Sequence, residues 1–388
     1  MTQRLKGGGN KIVAELRRVG LKAGWEGTAG HLCVFALWLF SFSPNELLSQ
    51  QAKCTHVFRG VRGREVTLSP DARFVASAGT QDGTDDVIGL LLVWDLKTGK
   101  VVFRFRLSEA GFDTVCFSPD GKEIAGAGYG QRDVNLKSAK VWELPSGKEI
   151  AELKNDENIS CLRFSPDGKF IAMATFDKKA HKDAIFIWDT RTFQKSGVLY
   201  GPSKTILKLA FSPDGEFLAS ADAAGAVHVW DFRKTTKPRK VDLTNGADAA
   251  TSLCFSKDSK RILLATGFDA RNGIHVLDRN SKEASPPLFH GQDAGVWSIH
   301  FTPDEQRIIS CGSEFRKDKT GKKAPDGTLP EGTVQIWNLT KKKLEVRFKA
   351  HKIAVNCSAF SRDGTRLITA SVSGTVKVWD LPKELLKK

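Results

Sequence analysis

Residues able to perform acid–base, nucleophilic or metal chemistry are scattered along this chain rather than grouped. Its 388 residues include eight histidines and seven cysteines. They contain no Cys-x-x-Cys pair, His-Glu-x-x-His motif, nucleophile elbow or phosphate-binding glycine loop. His228 and His275 each stand two residues before a repeated Trp-type position, and we interpret them as cross-strand surface residues rather than as an acid–base pair. The sequence therefore predicts a protein with no catalytic residue, no metal site and no cofactor.

Positive charge is the clearest binding signal in the chain. Lysine and arginine number 59 against 44 aspartate and glutamate residues, which gives a formal net charge of +15 at pH 7. A surplus of this kind favours acidic partners, although charged loops can also serve only to remain solvated. Two basic clusters supply the candidate partner-binding residues, which are Lys178, Lys179, Lys182, Arg316, Lys317, Lys319, Lys322 and Lys323.

Two repeated anchors predict the elements that position these residues. The first is a short apolar segment that ends in an aromatic residue and a Ser-Pro-Asp-Gly-like turn, with its Ser or Thr at 69, 118, 165, 212, 256, 302 and 361. The second is a Val-Trp-Asp-like tripeptide, with Leu277 in the fifth unit and tryptophan in the others, at Trp94, Trp142, Trp188, Trp230, Trp337 and Trp379. Alternating segments between the anchors indicate four short strands in each unit of about 45 residues.

These seven units resemble the WD40 repeat family over roughly residues 54–381. The resemblance implies an all-β, seven-bladed β-propeller that binds partners on the face where the loops between second and third strands emerge. Few aromatic residues lie in these loops, such as Phe176 and Phe315, which disfavours nucleic acid as the partner. Both basic clusters are expected on that face, because the long loops are predicted at roughly 79–88, 128–138, 176–183 and 313–331.

The first strand of each unit alternates bulky and small residues. The bulky ones stand at the turn aromatic and two positions before it, as Phe117 and Val115 do, with small or polar residues between. This period of two places the sets on opposite faces of the strand. Four cysteines share the small face, and we interpret them as buried packing residues without a redox role: Cys116, Cys161, Cys254 and Cys357.

WD40 repeats share a buried hydrogen-bond set of a histidine, a strand Ser or Thr, a turn aspartate and the tryptophan. By resemblance, this chain retains it in its last unit as His351, Ser371 and Trp379, with Ser373 at the aspartate position; His290-Gly291 is reversed relative to the usual Gly-His order. The other blades are therefore expected to depend on apolar packing. Trp-Asp-x-Arg at 188–191 and 230–233 resembles boxes in substrate receptors of eukaryotic ubiquitin ligases, but arginine is common there, and coincidence is the simpler interpretation.

The ring is expected to close through its two ends. Residues 54–59 precede the first unit and match the outer-strand pattern of the others, whereas nine residues follow Trp379. We predict that 54–59 forms the outer strand of the last blade, which would remove an exposed sheet edge.

The first 53 residues do not follow the repeat. A basic segment at 11–22 precedes an apolar run within 31–43. A run of about twelve apolar residues is too short to span a bilayer as one helix but resembles a signal-peptide core. Export or membrane tethering, cytoplasmic residence, a start placed too far upstream and a helix packed on the propeller all remain open. Any membrane association is expected to involve residues 1–53 alone.

The sequence thus predicts an N-terminal extension over 1–53, a seven-bladed propeller over 54–381 and a charged tail over 382–388. The predicted function is a non-enzymatic scaffold for protein–protein interaction, which binds a partner with an acidic surface through its basic, loop-rich face. The alternative is a propeller that binds a small ligand or nucleic acid at its mouth. The oligomeric state is left open.

Overall fold

The computed structural model describes residues 52–81, 88–108, 110–130, 138–155, 157–234, 239–241, 249–267, 273–280, 286–315 and 329–382. The chain divides into two units, Met1–Leu47 and Leu48–Lys388, and the first lies outside the described residues, as do the apolar run and most of the charged tail. Within the described ranges, no helix has the length and apolar character needed to cross a membrane.

The described residues of the second unit form antiparallel blades whose strands follow one another from the inside outward. Blade 1 contains β2 (Val61–Leu68), β3 (Phe74–Gln81), β4 (Ile88–Asp95) and β5 (Val101–Ser108). Blade 2 contains β6 (Ala110–Phe117), β7 (Glu123–Gly130), β8 (Ser138–Glu143) and β9 (Glu149–Lys154). Blade 3 contains β10 (Ile159–Phe164), β11 (Phe170–Asp177), β12 (Lys182–Asp189) and β13 (Lys195–Tyr200). Blade 4 contains β14 (Ile206–Phe211), β15 (Phe217–Asp222), β16 (Val227–Asp231) and β17 (Arg239–Val241).

The remaining blades follow the same order. Blade 5 contains β18 (Ala250–Phe255), β19 (Arg261–Thr266) and β20 (Gly273–Asp278), and an isolated bridge joins Ile274 to Phe289 at its outer edge. Blade 6 contains β21 (Val296–Phe301), β22 (Arg307–Glu314), β23 (Glu331–Asn338) and β24 (Lys343–His351). Blade 7 contains β25 (Val355–Phe360), β26 (Arg366–Ser371), β27 (Thr375–Asp380) and β1 (Lys53–Arg59).

A serine or threonine in each turn holds the first hairpin of its blade closed. In blade 3 the Ser165 hydroxyl donates to Asp167 Oδ1 at 2.6 Å and accepts the Phe170 amide at 3.0 Å. Gly168 completes the turn with a φ of 71°, a conformation that glycine adopts without strain. The hydroxyl-to-aspartate bond recurs in all seven turns, which confirms the repeat predicted from sequence.

The innermost strands of the seven blades meet in a closed ring around a central channel. Each contacts the innermost strand of the next blade, in the order β2, β6, β10, β14, β18, β21, β25 and back to β2. Their bulky residues are buried between blades, with Val115, Leu162 and Ile299 at most 1% exposed. The arrangement confirms the seven-bladed propeller and the assignment of the bulky face to its core.

The ring closes through β1, as predicted. This strand pairs antiparallel with β27, from Lys53 opposite Asp380 to Arg59 opposite Thr375. Its Phe58 is 7% exposed and stacks on Trp94 of blade 1, with ring centroids 5.0 Å apart. An early segment of the chain therefore completes the last blade and also packs against the first.

The predicted long loops are partly strand, which corrects their boundaries. β11 continues to Asp177 and β12 begins at Lys182, so a four-residue turn at 178–181 stands where the sequence predicted a loop over 176–183. In blade 6, β22 reaches Glu314 and β23 begins at Glu331. Backbone pairing continues through these polar residues because ladder bonds do not require apolar side chains.

Candidate functional site

The blade 3 hairpin carries three of the eight candidate basic residues. Its turn is fixed by Asp177, whose Oδ1 accepts the amides of Lys179 at 2.9 Å and Ala180 at 3.2 Å. Asp177 Oδ2 accepts the Tyr200 hydroxyl at 2.6 Å. This bond lowers the pKa of the Asp177 carboxyl and raises that of the Tyr200 phenol. Lys182 lies in β12 rather than in a loop, opposite Asp177.

Exposed side chains surround this fixed turn. Lys178 bonds to Glu157 Oε1 at 2.9 Å, whereas Lys179 and Lys182 extend into solvent. Tyr200 is 38% exposed and Phe176 is 40% exposed. The strand register puts Tyr200 and Lys182 on one side of the hairpin and Phe176 on the other. We call Lys178, Lys179, Lys182 and Tyr200 the blade 3 patch.

The second basic cluster, at Arg316, Lys317, Lys319, Lys322 and Lys323, lies outside the described residues. The hairpin that leads to it is anchored by Glu314, which is 7% exposed. Glu314 accepts Gln335 Nε2 at 2.6 Å and forms an ion pair with Arg347 at 2.5 Å. Burial raises the pKa of this carboxyl, and the Arg347 guanidinium opposes the rise.

Every inner strand has a β-bulge near its start, which places one extra residue at the channel mouth. Some of these residues join neighbouring blades. Arg64 of blade 1 forms an ion pair with Asp113 of blade 2 at 2.9 Å, and Asn356 of blade 7 donates to the Gly63 carbonyl. Ser160 of blade 3 donates to the Ile206 carbonyl of blade 4 at 2.6 Å. Polar side chains at the mouth therefore bond one blade to the next. We call these three contacts (Arg64 to Asp113, Asn356 to Gly63 and Ser160 to Ile206) the mouth ring.

Below the mouth, side chains on the small face accept amides from the next blade. Glu65 Oε2 accepts the Val115 amide at 2.9 Å, and Thr114 Oγ1 accepts the Leu162 amide at 3.1 Å. The same bond joins Ser252 to the Ile299 amide at 3.1 Å, and the thiols of Cys161 and Cys357 lie beside the equivalent amides of Leu209 and Val66. We call this series the acceptor belt, and the equivalent position in blade 4 holds Lys208.

The belt gives the cysteines a structural role. The six described cysteines are free thiols. Burial raises the pKa values of Cys116 and Cys254 to about 12, and it raises those of Cys161 and Cys357 as well. A protonated thiol is a poor nucleophile. These side chains therefore serve as compact neighbours and hydrogen-bond partners for the adjacent inner strand, in line with the packing role predicted from sequence.

Charged residues of the channel are a feature that sequence analysis missed. Arg163 of blade 3 reaches past blade 2 to Glu65 of blade 1, where the ion pair measures 2.5 Å. Burial opposes ionisation of Glu65, but Arg163 and Lys208 together hold the pKa of its carboxyl below the usual value. The sequence did indicate charged residues on the inner strands, although not their pairing. Glu65 stands three residues before Leu68, and Lys208 stands three residues before Phe211, so the two occupy equivalent positions in their blades.

The buried relay of blade 7 differs from the prediction in one member. His351 Nε2 lies 2.8 Å from the Thr369 hydroxyl, which also accepts Trp379 Nε1 at 2.9 Å. Ser371 instead contacts Ser373. Thr369 is the partner because it stands two residues after Leu367, which pairs with Trp379, whereas Ser371 lies on the same side of the strand but two residues further away.

A second relay occupies blade 6, where sequence analysis expected none. Gln292 is fully buried, and its Oε1 accepts the Ser310 hydroxyl at 3.1 Å. Trp337 Nε1 donates to that same hydroxyl at 2.9 Å. Gln292 precedes the first residue of β21 by four positions, as His351 precedes that of β25, and this spacing could have identified it. In blades 3 and 4 the indole nitrogens of Trp188 and Trp230 have no partner among the described residues, as expected for blades that depend on apolar packing.

No cluster of three or more metal-ligating side chains occurs in the described part of the chain. The placement of His228 and His275 at the surface was wrong, since they are 1% and 6% exposed. Arg233, from the second Trp-Asp-x-Arg segment, bonds to Asp167 Oδ2 at 3.0 Å. This contact joins blades 4 and 3 on the face that carries the Ser-Pro-Asp-Gly turns.

Comparison with known proteins supports the architecture. The profile of the WD40 family, described as WD domain, G-beta repeat, matches residues 147–182, 193–231, 285–338 and 342–380. Periodic tryptophan protein 2 of Saccharomyces cerevisiae is 24% identical over 88% of this chain and 38% of its own length. WD repeat-containing protein 18 of Danio rerio is 21% identical over 74% of this chain and 64% of its own. The chain thus spans less than two thirds of these two relatives.

A third relative has a length close to that of this chain. The guanine nucleotide-binding protein subunit beta of Schizosaccharomyces pombe is 23% identical over 84% of this chain and 94% of its own length. With four repeats matched by the profile and seven blades in its ring, the chain belongs to the WD40 repeat family.

Proposed function

We propose that this protein is a non-enzymatic scaffold that binds an acidic protein partner through the loop face of its propeller. The loop face is the end that carries the mouth ring and the blade 3 patch. One relative is by name a subunit of a guanine nucleotide-binding protein, which is a component of an assembly. Membership of a repeat family that supplies rigid binding platforms supports the same role for this chain.

The observation that carries the proposal is the blade 3 patch. Lys179 projects from a turn whose backbone Asp177 already holds in place, and Lys182 projects from the start of β12 opposite that aspartate. An ordered turn loses little conformational entropy on binding, so little binding free energy is spent on ordering the backbone that carries these charges. Tyr200, tied to the same aspartate, adds a half-exposed aromatic ring of the type enriched at protein interfaces.

The partner is expected to be acidic because the exposed side chains of Lys179 and Lys182 form no ion pair with the described residues, whereas Lys178 is already paired with Glu157. Charges at the edge of an interface mainly accelerate association, by roughly 10- to 1000-fold in strongly steered pairs. The basic cluster at 316–323 would add to this field if it shares the rim, which stays a prediction.

Small-ligand or nucleic-acid binding at the mouth is the alternative. Two features weigh against nucleic acid. The mouth residues Arg64 and Asn356 are already engaged in blade-to-blade bonds, and the Asp113 carboxylate would repel a phosphate backbone. The alternative predicts a steep dependence of affinity on salt, since phosphate binding releases counterions.

Affinity co-purification from the native host tests the proposal. Wild type is compared with Lys179→Glu/Lys182→Glu and with a matched control on the opposite face, Lys169→Glu/Lys260→Glu. The control lysines are equally exposed and follow two of the Ser-Pro-Asp-Gly-like turns. We expect a discrete protein partner whose association the loop-face variant slows about tenfold or more and the control leaves unchanged.

A further variant carries glutamate at Arg316, Lys317, Lys319, Lys322 and Lys323, and it tests whether the second cluster takes part. A partner bound equally by all variants would retain the scaffold and refute the choice of surface. Loss of the partner in the control variant alone would move the interface to the turn face. Recovery of nucleic acid in place of a protein would favour the alternative.

A further inference from the structure

Lys208 breaks the pattern of the acceptor belt. At three of the seven junctions, a side chain from one blade accepts the amide of the next, and at two others a cysteine thiol lies beside the equivalent amide. At a sixth, Ser298 donates instead to the Ser358 carbonyl at 3.4 Å. Lys208 holds the same position in blade 4, but an ammonium group has three donors and no acceptor. It cannot bind the amide of Leu253, which stands in blade 5 where Leu162 stands in blade 3.

The charges around Lys208 do not cancel. Arg64 pairs with Asp113 and Arg163 pairs with Glu65, which leaves the Lys208 ammonium as the surplus charge of this group. No acceptor lies within bonding distance of it among the described residues. Its field nevertheless acts on Glu65 of blade 1, Cys161 of blade 3 and Cys357 of blade 7, so the ammonium projects into the shared channel.

Solvent reaches this group, and further donors lie beside it. The side chains of Arg163 and Glu65 are 28% and 17% exposed, although both lie inside the ring. Ser252, at the next junction, accepts the Ile299 amide at 3.1 Å, which leaves its hydroxyl hydrogen available to donate. An uncompensated cation, a hydroxyl donor and the Leu253 amide together suit an oxygen-bearing anion.

We propose that the central channel binds a small oxyanion of phosphate size, held by Lys208 with donors from Ser252 and Leu253. The Glu65 carboxylate opposes the anion and limits its affinity. The site is separate from the blade 3 patch and does not depend on the proposed protein partner.

Isothermal titration with inorganic phosphate in a low-chloride buffer tests this site. Lys208→Met removes the charge and retains the length of the side chain, while Lys169→Met removes an exposed lysine on the face opposite the blade 3 patch as the control. We expect saturable binding by wild type and the control. Lys208→Met should bind about tenfold or more weakly, the value of one charge-assisted hydrogen bond.

Glu65→Gln gives an independent prediction of opposite sign, because removal of the opposing carboxylate should tighten phosphate binding. Thermal unfolding of each variant without phosphate shows whether it is folded. Unchanged affinity in Lys208→Met, or equal weakening in Lys169→Met, would overturn the proposal. Absence of saturable heat in wild type would show that water, rather than an anion, solvates this junction.

Discussion

The Thr369 hydroxyl joins two buried polar groups in blade 7, and its removal should be costly. It accepts Trp379 Nε1 at 2.9 Å and lies 2.8 Å from His351 Nε2. Burial, with a smaller effect of the Lys377 ammonium, lowers the pKa of His351 to about 3, so the ring is neutral. Because the indole can only donate, the hydroxyl hydrogen is left for the imidazole.

Thr369→Val removes this hydroxyl while retaining the shape of the side chain. Thr369 is fully buried and His351 is 3% exposed, so water cannot replace the lost bonds without rearrangement. A buried polar group left without a partner costs about 1–3 kcal/mol. With two groups affected, we expect the free energy of unfolding to fall by about 2–4 kcal/mol.

Ser220→Ala is the matched control. Ser220 occupies the equivalent position in blade 4, two residues after Leu218, which pairs with Trp230. It is also fully buried, but its hydroxyl has no partner among the described residues. Removal of an unpaired buried hydroxyl should leave stability unchanged or raise it by up to about 1 kcal/mol.

Urea unfolding followed by tryptophan fluorescence measures both variants, with midpoints compared at a common slope. Similar losses in the two proteins would refute the reasoning, because the cost would then come from the position rather than from the bonds. A loss below about 1 kcal/mol for Thr369→Val would show that the relay contributes little net stability.

Three further predictions concern closure, acid stability and thiol reactivity. Phe58→Ala should lower the free energy of unfolding in urea by about 3 kcal/mol, since Phe58 is buried in the strand that closes the ring. The neighbouring Val57→Ala should change it by no more than about 0.5 kcal/mol, because Val57 is 51% exposed. Burial lowers the pKa of His300 to about 4, so the free energy of unfolding should decline as pH falls from 6.5 towards 4. His300→Gln should reduce the slope of that decline by up to about 1.4 kcal/mol per pH unit. Unfolding curves recorded at a series of pH values would measure both slopes. Cys116, which is buried and has a pKa of about 12, should resist iodoacetamide at pH 8 and react after unfolding in urea; peptide mapping that finds it alkylated in native protein would contradict its burial.

The fold could be predicted because its information is local and repeated. Each Ser-Pro-Asp-Gly-like turn defines its own hairpin through bonds within six residues, such as those of Ser165 to Asp167 and Phe170. Even the closure by β1 followed from a local pattern, since residues 54–59 match an outer strand that has no place in the first unit.

The site could be predicted only in part, because its contacts join residues far apart in sequence. Arg163 and Glu65 meet across 98 positions, and no local pattern signals that pair. The relay prediction named Ser371, which lies on the same side of the strand as Thr369 but two residues further from Leu367, the residue opposite Trp379; only the strand register shows which of the two is near the indole. Gln292 was missed because only histidine was considered at its position.

The pairing of β1 with β27 also has a consequence for synthesis. The Thr55 hydroxyl bonds to the Val378 carbonyl, 323 residues later. At about 5–20 residues per second, a ribosome needs roughly 15–65 s to deliver the partner strand. During that interval β1 is present before its own sheet exists. Its solvent-facing residues, which include Lys53 and Arg59, place charges along a strand that would otherwise invite pairing with other nascent chains.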